Sequence, residues 1–437
     1  MANVVVVGGG WAGCAAAVAA KKAGVEQVIL LERTDMLLGT GLAGGIMRNN
    51  GRFTAAEEAI AMGGGDLFLT ADQCARHRNI EFPGHQHASL YDVAAIEPAV
   101  RKLLEAYQVE VRTLARVRDI TMKGNRLHSV ITDRDDEIYG EVFVEATGTA
   151  GPQGNCSKHG NGCAMCIIRC PAFGPRLSIA GRAGVKERHG EKPDGSYGAM
   201  SGSCKILKES LTPAIVQRLN ANGVAVIPVP EELRKAESLA IKACQQYALK
   251  EFSENIILLD TGHAKLMSPY YPLDTLRRIP GFENARFEDP YAGGVGNSMR
   301  YFDLSPHDHS LKVQGVDNLW CCGEKAGLLV GHTEAIVTGT LAGHNAARAL
   351  AAREPLVVPE TLAIGDAIAH VNSQMQTSAG LRLKYTFSGA QYFRRMQELG
   401  LYSTDSAAIQ RRVRQAEMDN VFAGNVFLRS EQLCYHV

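Results

Sequence analysis

The chain carries no net charge and contains no long hydrophobic run. Lysine plus arginine and aspartate plus glutamate each number 46, so no overall field favours a nucleic-acid partner. This balance argues against nucleic acid without excluding a local basic patch. No apolar run reaches the ~18–20 residues that would span a bilayer, and the short apolar start of the chain lacks the basic leader of a signal peptide. We therefore expect a cytoplasmic protein with no membrane partner.

One stretch near the N-terminus has the pattern of a dinucleotide-binding turn. Four consecutive valines over Val4–Val7 predict a buried strand of a parallel sheet. The strand leads into Gly8-x-Gly10-x-x-Gly13 and then into an alanine-rich helix at Ala15–Ala23. Gly8 permits the tight turn, Gly10 lets a pyrophosphate approach the backbone, and Gly13 lets the helix pack closely on the strand. The phosphates are expected at the N–H groups of the helix start.

A second predicted strand gives this turn its context. The strand covers Gln27–Leu31 and ends at Glu32, 19 residues past Gly13, where an acidic side chain bonds the adenosine ribose hydroxyls. The alternative interpretation is an ordinary glycine-rich turn. Because Glu32 stands where an arginine cluster would bind a 2′-phosphate, a 2′-phosphorylated dinucleotide is disfavoured.

The 437 residues, 46% of them hydrophobic, are enough for two or three domains. We predict an α/β fold. Residues 1–150 and 318–352 would form a Rossmann-like domain, whose parallel sheet carries an inserted β-meander. Residues 151–317 would hold a cysteine-rich loop and a second, substrate-facing α/β domain, with helical patterns at Thr212–Asn222 and Glu231–Lys250. Residues 353–437 are expected to be a helical C-terminal region.

Four of the eleven cysteines lie within fifteen residues, in the pattern Cys156-x6-Cys163-x2-Cys166-x3-Cys170-Pro171. Four thiolates on one loop can converge on one metal centre, and the ending overlaps the ligand spacing of bacterial ferredoxin sites. A [4Fe–4S] cluster is our first interpretation. A structural four-cysteine zinc site and free or redox-active thiols, including a Cys163–Cys166 disulfide, are the alternatives.

Four blocks of sequence resemble the flavoproteins of the glucose-inhibited-division A family and the folate-dependent tRNA uracil-5-methyltransferases. The blocks are Val4–Ala17 with Glu32, Glu145–Thr149, Leu276–Ala285 and Asn318–Arg348. The methyltransferases' C-terminal helical sequence is not recognisable after Arg348, we expect no long tRNA-binding tail like that of the division proteins, and the cysteine run belongs to neither pattern.

The resemblance implies a non-covalently bound FAD. Gly323 and Glu324 would then face the pyrophosphate and the ribityl chain, and a helix starting near Glu334 would point its N-terminus at the flavin. His332 and Glu334, placed beside the flavin by the same likeness, are candidate catalytic acids or bases. The residues expected to contact the cofactor are Gly8, Gly10, Trp11, Ala12, Gly13, Glu32, Arg33, Gly39, Thr40, Val117, Ala146, Thr147, Gly148, Gly323, Glu324, Glu334 and Ala335.

These observations favour an FAD-dependent oxidoreductase with a [4Fe–4S] cluster, in which electrons pass between flavin and cluster while a substrate reacts at the flavin. Its partner would be a small-molecule substrate or a redox protein, and a homo-oligomer is left open. The alternatives are a folate- and FAD-dependent RNA (uracil-5-)methyltransferase-like enzyme and a flavoprotein with a structural zinc site.

Overall fold

The computed structural model describes residues 3–149, 174–192, 194–196, 199–200, 204–234, 239, 245–267, 271–288 and 299–428. Its strands are β1 Asn3–Val7, β2 Gln27–Leu31, β3 Ile46–Met47, β4 Ala75–Phe82, β5 His85–Tyr91, β6 Glu110–Arg112, β7 Val117–Lys123, β8 Arg126–Thr132, β9 Glu137–Tyr139, β10 Val142–Glu145, β11 Arg188–His189, β12 Ala199–Met200, β13 Cys204–Ile206, β14 Val224–Pro228, β15 Asn255–Asp260, β16 Ala264–Leu266, β17 Met299–Arg300, β18 Asp303–Leu304 and β19 Leu319–Cys321.

The α-helices are α1 Trp11–Lys22, α2 Gly41–Gly44, α3 Gly51–Ala61, α4 Asp66–Gln73, α5 Ile96–Ala106, α6 Ile179–Arg182, α7 Pro213–Asn222, α8 Glu251–Glu254, α9 Leu273–Leu276, α10 His332–Leu350, α11 Ala363–Gln374, α12 Ser378–Leu381, α13 Ala390–Glu398 and α14 Ser406–Gln415. Within the described ranges, no helix combines the length and the apolar character that crossing a membrane requires.

A five-stranded parallel sheet in the order β19-β10-β1-β2-β6 organises the fold. The valines of β1 are buried because helices cover the sheet, which explains the unbroken apolar run in the sequence. β1 pairs with β2 on one side and with β10 on the other, so the chain order reverses beside β1. This reversal creates the crevice at the carboxyl ends of the strands where α/β sheets bind ligands. The predicted α/β class with a Rossmann-type sheet is confirmed.

Among the described residues, five further sheets lie outside the parallel sheet, and two of them are the two-stranded pairs β11–β18 and β12–β17. Strands β7, β8 and β9 form an antiparallel meander between β6 and β10, as the alternation of short strands and turns predicts. Strands β13, β16, β15 and β14 form an antiparallel sheet, and β3, β5 and β4 form a small sheet. The exact domain bounds stay a prediction.

The helix predicted over residues 231–250 is wrong in the part that the structure describes. Glu231–Leu233 and Gln245–Tyr247 are each a single turn of 3₁₀ helix. The helical spacing of apolar residues was real, but tertiary packing overrides such a weak preference. By contrast, the helix predicted at Thr212–Asn222 is present as α7, with Pro213 in its first turn.

Candidate cofactor site

The turn between β1 and α1 is packed so closely that two of its glycines cannot be replaced without strain. Gly8 has a φ of +107°, and a Cβ there would lie 2.3 Å from the Ala146 carbonyl oxygen. A Cβ on Gly13 would lie 1.8 Å from the carbonyl oxygen of Gly8. The turn therefore draws β1, α1 and the end of β10 together at the switch point of the sheet.

Other glycines around this turn border open space. A Cβ on Gly10, Gly39 or Gly148 would have no described heavy atom within 4 Å. Helix α1 begins at Trp11, and none of the described side chains caps its N-terminus. The loop after β2 closes over the turn, since Leu38 donates its N–H to the Gly9 carbonyl at 2.7 Å. The result is a cradle of backbone N–H groups at a helix start, and this donor set fits a pyrophosphate.

Glu32 is held at the end of β2 by the backbone of the neighbouring turns. Its Oε2 accepts the Gly9 N–H at 2.8 Å and its Oε1 accepts the Thr34 N–H at 2.8 Å. Each carboxylate oxygen retains acceptor capacity, so these bonds orient Glu32 while leaving it able to accept ribose hydroxyls. The next predicted residue, Arg33, instead donates to the Gly174 carbonyl.

Helix α10 lies against α1 with almost no side chain between them. A Cβ on Gly339 would lie 2.1 Å from the Ala12 carbonyl oxygen, and one on Gly343 would lie 2.1 Å from that of Ala16. Gly323, which follows β19, donates its N–H to Thr338 Oγ1 at 2.9 Å. This close contact brings the N-terminus of α10, which follows Gly331 and carries Glu334 in its first turn, next to the cradle.

Glu334, a predicted catalytic residue, is fully buried and its carboxylate is occupied by donors. Arg52 Nε lies 3.1 Å from both carboxylate oxygens. Thr386 Oγ1 donates to Oε1 at 2.6 Å, and the Phe387 N–H donates to it at 2.9 Å. These contacts indicate that Glu334 anchors the first turn of α10 to the segment at 386–387, and they favour this structural part over proton transfer.

His332, the other predicted catalytic residue, is half-buried at the first position of α10. Its Nδ1 lies 3.4 Å from the Tyr91 hydroxyl, which donates to the Gly41 carbonyl at 2.7 Å. The ring centroid lies 6.3 Å from that of Trp11, and a Cβ on Gly44 would lie 1.7 Å from His332 Cε1. The imidazole is therefore fixed between the cradle and the loop that carries α2.

The remaining predicted residues lie around this site in different ways. Ala146 donates its N–H to the Val7 carbonyl at 2.8 Å, and Thr147 Oγ1 donates to Glu145 at 2.9 Å. Thr40 directly precedes α2, Glu324 is half-buried after Gly323, and Ala335 is half-buried in the first turn of α10. Val117 is buried in the core at the start of β7, so any contact of its side chain with the cofactor would be an apolar packing contact. The cofactor roles of these residues stay predictions.

The predicted metal ligands Cys156, Cys163, Cys166 and Cys170 lie outside the described residues. In the part of the chain that is described, no group of three or more His, Cys, Asp or Glu side chains could hold a metal ion. The described thiols of Cys14, Cys321 and Cys322 are buried, and burial raises the pKa of each above its usual range. These three are packed thiols and not reactive thiolates.

A buried charge cluster lies at the same sheet edge. Lys325, fully buried, contacts the carboxylates of Glu187 and Glu145. Arg176 donates to the Gly148 carbonyl at 2.8 Å and pairs with Asp303. The residues of each ion pair are far apart in the sequence. The one local signal for this cluster is the position of Arg176 shortly after the cysteine run.

The parallel sheet, the glycine turn at its switch point and the acidic end of β2 define a dinucleotide-binding protein of the Rossmann type. The family model described as "Glucose inhibited division protein A" matches residues 3–223 and 241–354. The chain therefore belongs to the glucose-inhibited division protein A family, as its motifs suggested. Membership in this family supports FAD as the cofactor.

Two similar curated proteins are tRNA-modifying enzymes by name. The methylenetetrahydrofolate–tRNA-(uracil-5-)-methyltransferase TrmFO of Streptococcus sanguinis is 39% identical over 89 residues, which is 20% of this chain and 19% of that protein. The tRNA uridine 5-carboxymethylaminomethyl modification enzyme MnmG of Nitratiruptor sp. is 30% identical over 97 residues, 22% of this chain and 15% of that protein. The matches thus span less than a fifth of either relative.

Solved structures of GidA from Aquifex aeolicus share the fold. One crystal form superimposes with a TM-score of 0.63 at 16% identity, covering 94% of this chain and 76% of that one. A second crystal form gives 0.59 at 15% identity, covering 94% and 78%. At such identity the likeness shows the fold alone.

Proposed function

We propose that this chain is an FAD-dependent enzyme of the oxidoreductase type that acts on a uridine of tRNA. The observation that carries the proposal is the cradle at the switch point of the parallel sheet, in a chain of this flavoprotein family. FAD, when bound, supplies the capacity to accept and return a hydride. The protein's own residues would bind and orient the cofactor and the substrate, and would shield both from water.

The described residues suggest how that contribution is divided. The N-terminus of α1 would hold the pyrophosphate, and Glu32 would accept the ribose hydroxyls. The N-terminus of α10 would favour negative charge on a reduced flavin, because a helix start carries a partial positive charge. His332, half-buried and 3.4 Å from the Tyr91 hydroxyl, is the described side chain best placed to hold or release a proton there.

The names of the relatives support an RNA substrate, so the balance of support moves from our first interpretation to the RNA-modifying alternative. Nucleic acid, which overall charge disfavours, thereby becomes the leading partner. Exposed arginines lie on two C-terminal helices: Arg394 on α13, and Arg411 and Arg414 on α14, where Arg411 lies 4.0 Å from Asp405. Such side chains can contact phosphates although the whole chain has no net charge.

Filter binding of unmodified tRNA to FAD-loaded protein at two salt concentrations tests this substrate. We expect the affinity for tRNA to fall steeply as the salt concentration rises. The triple variant R394Q/R411Q/R414Q should bind tRNA more weakly and with a shallower salt dependence, because fewer phosphate contacts release fewer counterions on binding. The variant K250Q is the matched control, since Lys250 is an exposed cation engaged with Glu254. Binding that is absent, or that does not change with salt, would contradict an RNA substrate.

The burial of the described thiols disfavours them as the nucleophile of a methyl-transferring enzyme. Cys14, Cys321 and Cys322 are too deeply buried, and Cys74 is half-buried with a raised pKa caused first by desolvation. The cysteine run at residues 156–170 follows the end of β10 closely in the sequence, and it is therefore the leading candidate for the nucleophile. Serine variants of Cys163 and Cys166, assayed for folate-dependent methylation of tRNA, test this role.

The spacing of the same four cysteines also favours a second candidate, an FAD enzyme with a [4Fe–4S] cluster that exchanges electrons with a redox protein or a small molecule. Counting iron, zinc, acid-labile sulfide and flavin in anaerobically purified protein separates the cases. About four iron and four sulfide per chain would support the cluster. Zinc without sulfide would support a structural site, and no metal would support thiol chemistry.

A further inference from the structure

One tyrosine hydroxyl lies between the glycine-rich loop and the half-buried imidazole of His332. Tyr91 is the last residue of β5 and is 1% exposed. Its backbone N–H donates to the Gly45 carbonyl at 3.0 Å, and its hydroxyl donates to the Gly41 carbonyl at 2.7 Å. The same hydroxyl oxygen lies 3.4 Å from His332 Nδ1. Tyr91 therefore connects the loop that carries α2 with the first residue of α10.

Ring packing fixes the imidazole relative to this hydroxyl. The ring centroids of Tyr91 and His332 lie 6.4 Å apart, and that of Trp11 lies 5.9 Å from the first and 6.3 Å from the second. A Cβ on Gly44 would lie 1.7 Å from His332 Cε1, so the loop backbone also packs against the imidazole. Turning the ring over would bring the carbon Cδ2 to the hydroxyl in place of Nδ1 and would lose the polar contact. Hydrogen bonding therefore favours the observed orientation.

The single proton of the hydroxyl decides what Tyr91 can offer to His332. Burial raises the pKa of the Tyr91 phenol above its usual value, so the group keeps its proton near neutral pH. A carbonyl oxygen can only accept, so the bond to Gly41 uses that proton. The phenol oxygen then presents a lone pair to Nδ1. A lone pair on Nδ1 would repel it, whereas an N–H at Nδ1 would donate to it.

We propose that Tyr91 is a positioning residue that holds the neutral His332 imidazole in its Nδ1–H tautomer, with the basic lone pair on Nε2. The hydrogen bond made by one ring nitrogen selects the tautomer of a histidine, and so decides which atom can take up a proton. Any group that bonds Nε2 must then be a donor. The 3.4 Å separation is at the long end for a hydrogen bond, and catalytic hydrogen bonds often shorten only when the reactant binds.

This inference rests on the proposed function only in what the proton serves. A proton of the reactant at the flavin would pass to Nε2, and the electron pair of the broken bond would stay with the reactant. The phenol oxygen would continue to accept the Nδ1–H of the imidazolium that forms. Tyr91 thus orients His332 as the third member of a catalytic triad orients its base.

Nitrogen-15 NMR of FAD-loaded protein, labelled on its histidine side chains, tests the tautomer directly. At about pH 9, well above the usual pKa of a histidine, the protonated and unprotonated nitrogens of a neutral imidazole have separate chemical shifts. The signals of His332 are those that H332Q removes. In the parent we expect about a tenfold excess of the Nδ1–H form, which is the ratio that one hydrogen bond of ordinary strength supports.

Two tyrosine variants separate positioning from a merely structural part. Y91F should reduce the excess of the Nδ1–H form about tenfold, because it removes the hydrogen bond that selects the tautomer. Y392F is the matched control, since Tyr392 is also fully buried and its hydroxyl also donates to a backbone carbonyl, that of Ala363, at 2.9 Å. Y392F should leave the tautomer of His332 as it is in the parent.

The inference is overturned if the neutral His332 of the parent carries its proton on Nε2, or if Y91F keeps the tautomer ratio of the parent. The measurement on the parent alone decides the first point, even if Y91F folds poorly. Binding of tRNA by the same FAD-loaded samples separates the two proposals. Protein with the Nδ1–H tautomer that binds no tRNA counts against the proposed function. Protein that binds tRNA with the His332 proton on Nε2 counts against the positioning role of Tyr91.

Discussion

The ion pair of Arg52 and Glu334 should be among the most sensitive contacts of the molecule. Arg52 is 5% exposed and Glu334 is fully buried. Replacing Arg52 with methionine leaves a buried carboxylate without its cation, and breaking a buried pair in this way costs about 3–5 kcal/mol. The donors Thr386 and Phe387 remain, so we expect a loss of about 3 kcal/mol in the free energy of unfolding, at the low end of that range.

Urea unfolding, followed by far-ultraviolet circular dichroism and by tryptophan fluorescence, measures this loss. The exposed pair Arg112–Glu110, with side chains 40% and 43% exposed, is the matched control. R112M should change the free energy of unfolding by less than about 1 kcal/mol. The double variant R52M/E334M should recover part of the loss of R52M, because it removes the uncompensated carboxylate. If R52M and R112M cost the same, the assignment of Glu334 as an anchor is refuted.

Two further outcomes follow from the packing and from buried histidines. Gly13→Ala should prevent the turn after β1 from forming, because its Cβ would lie 1.8 Å from the Gly8 carbonyl oxygen; limited proteolysis should then cleave G13A faster than the parent. Burial lowers the pKa of His85 to about 3 and of His344 to about 4, so both stay neutral in the folded chain while they gain protons on unfolding below about pH 6.5. Stability should therefore be full above pH 6.5 and fall by up to about 1.4 kcal/mol per pH unit for each histidine below it. H344L should lessen this decline in urea unfolding at pH 5; an unchanged decline would contradict the reasoning.

The parallel sheet could be predicted because its signals are local. Each of three local features indicates one element without reference to the others. They are the four valines before a glycine turn, the acidic residue after the next strand and the short apolar run before Gly323. The structure places them as β1, β2 and β19. The meander was predictable for the same reason, since each of its turns is marked by residues that favour turns.

The contacts that complete the site could not be predicted, because they join residues that are remote in sequence. Arg52 and Glu334 are 282 positions apart in the sequence. The sequence predicts that Glu334 lies near the cofactor. The contacts of its carboxylate with Arg52, Thr386 and Phe387 cannot be predicted, because no local pattern in the sequence connects these residues with Glu334. The contacts of its carboxylate favour an anchoring role, and the catalytic role of Glu334 stays a prediction.

The central claim, that the turn after β1 binds FAD, is tested most directly by counting flavin per chain in the parent and in Gly10→Val. Gly10 has a φ of −69° and an extended backbone that valine adopts readily, and its Cβ would point into the open cradle rather than at any described atom within 4 Å. We predict about one FAD per chain in the reconstituted parent, and G10V that is folded by circular dichroism yet free of flavin. A parent that takes up no FAD, or a G10V variant that binds it as the parent does, would contradict the account.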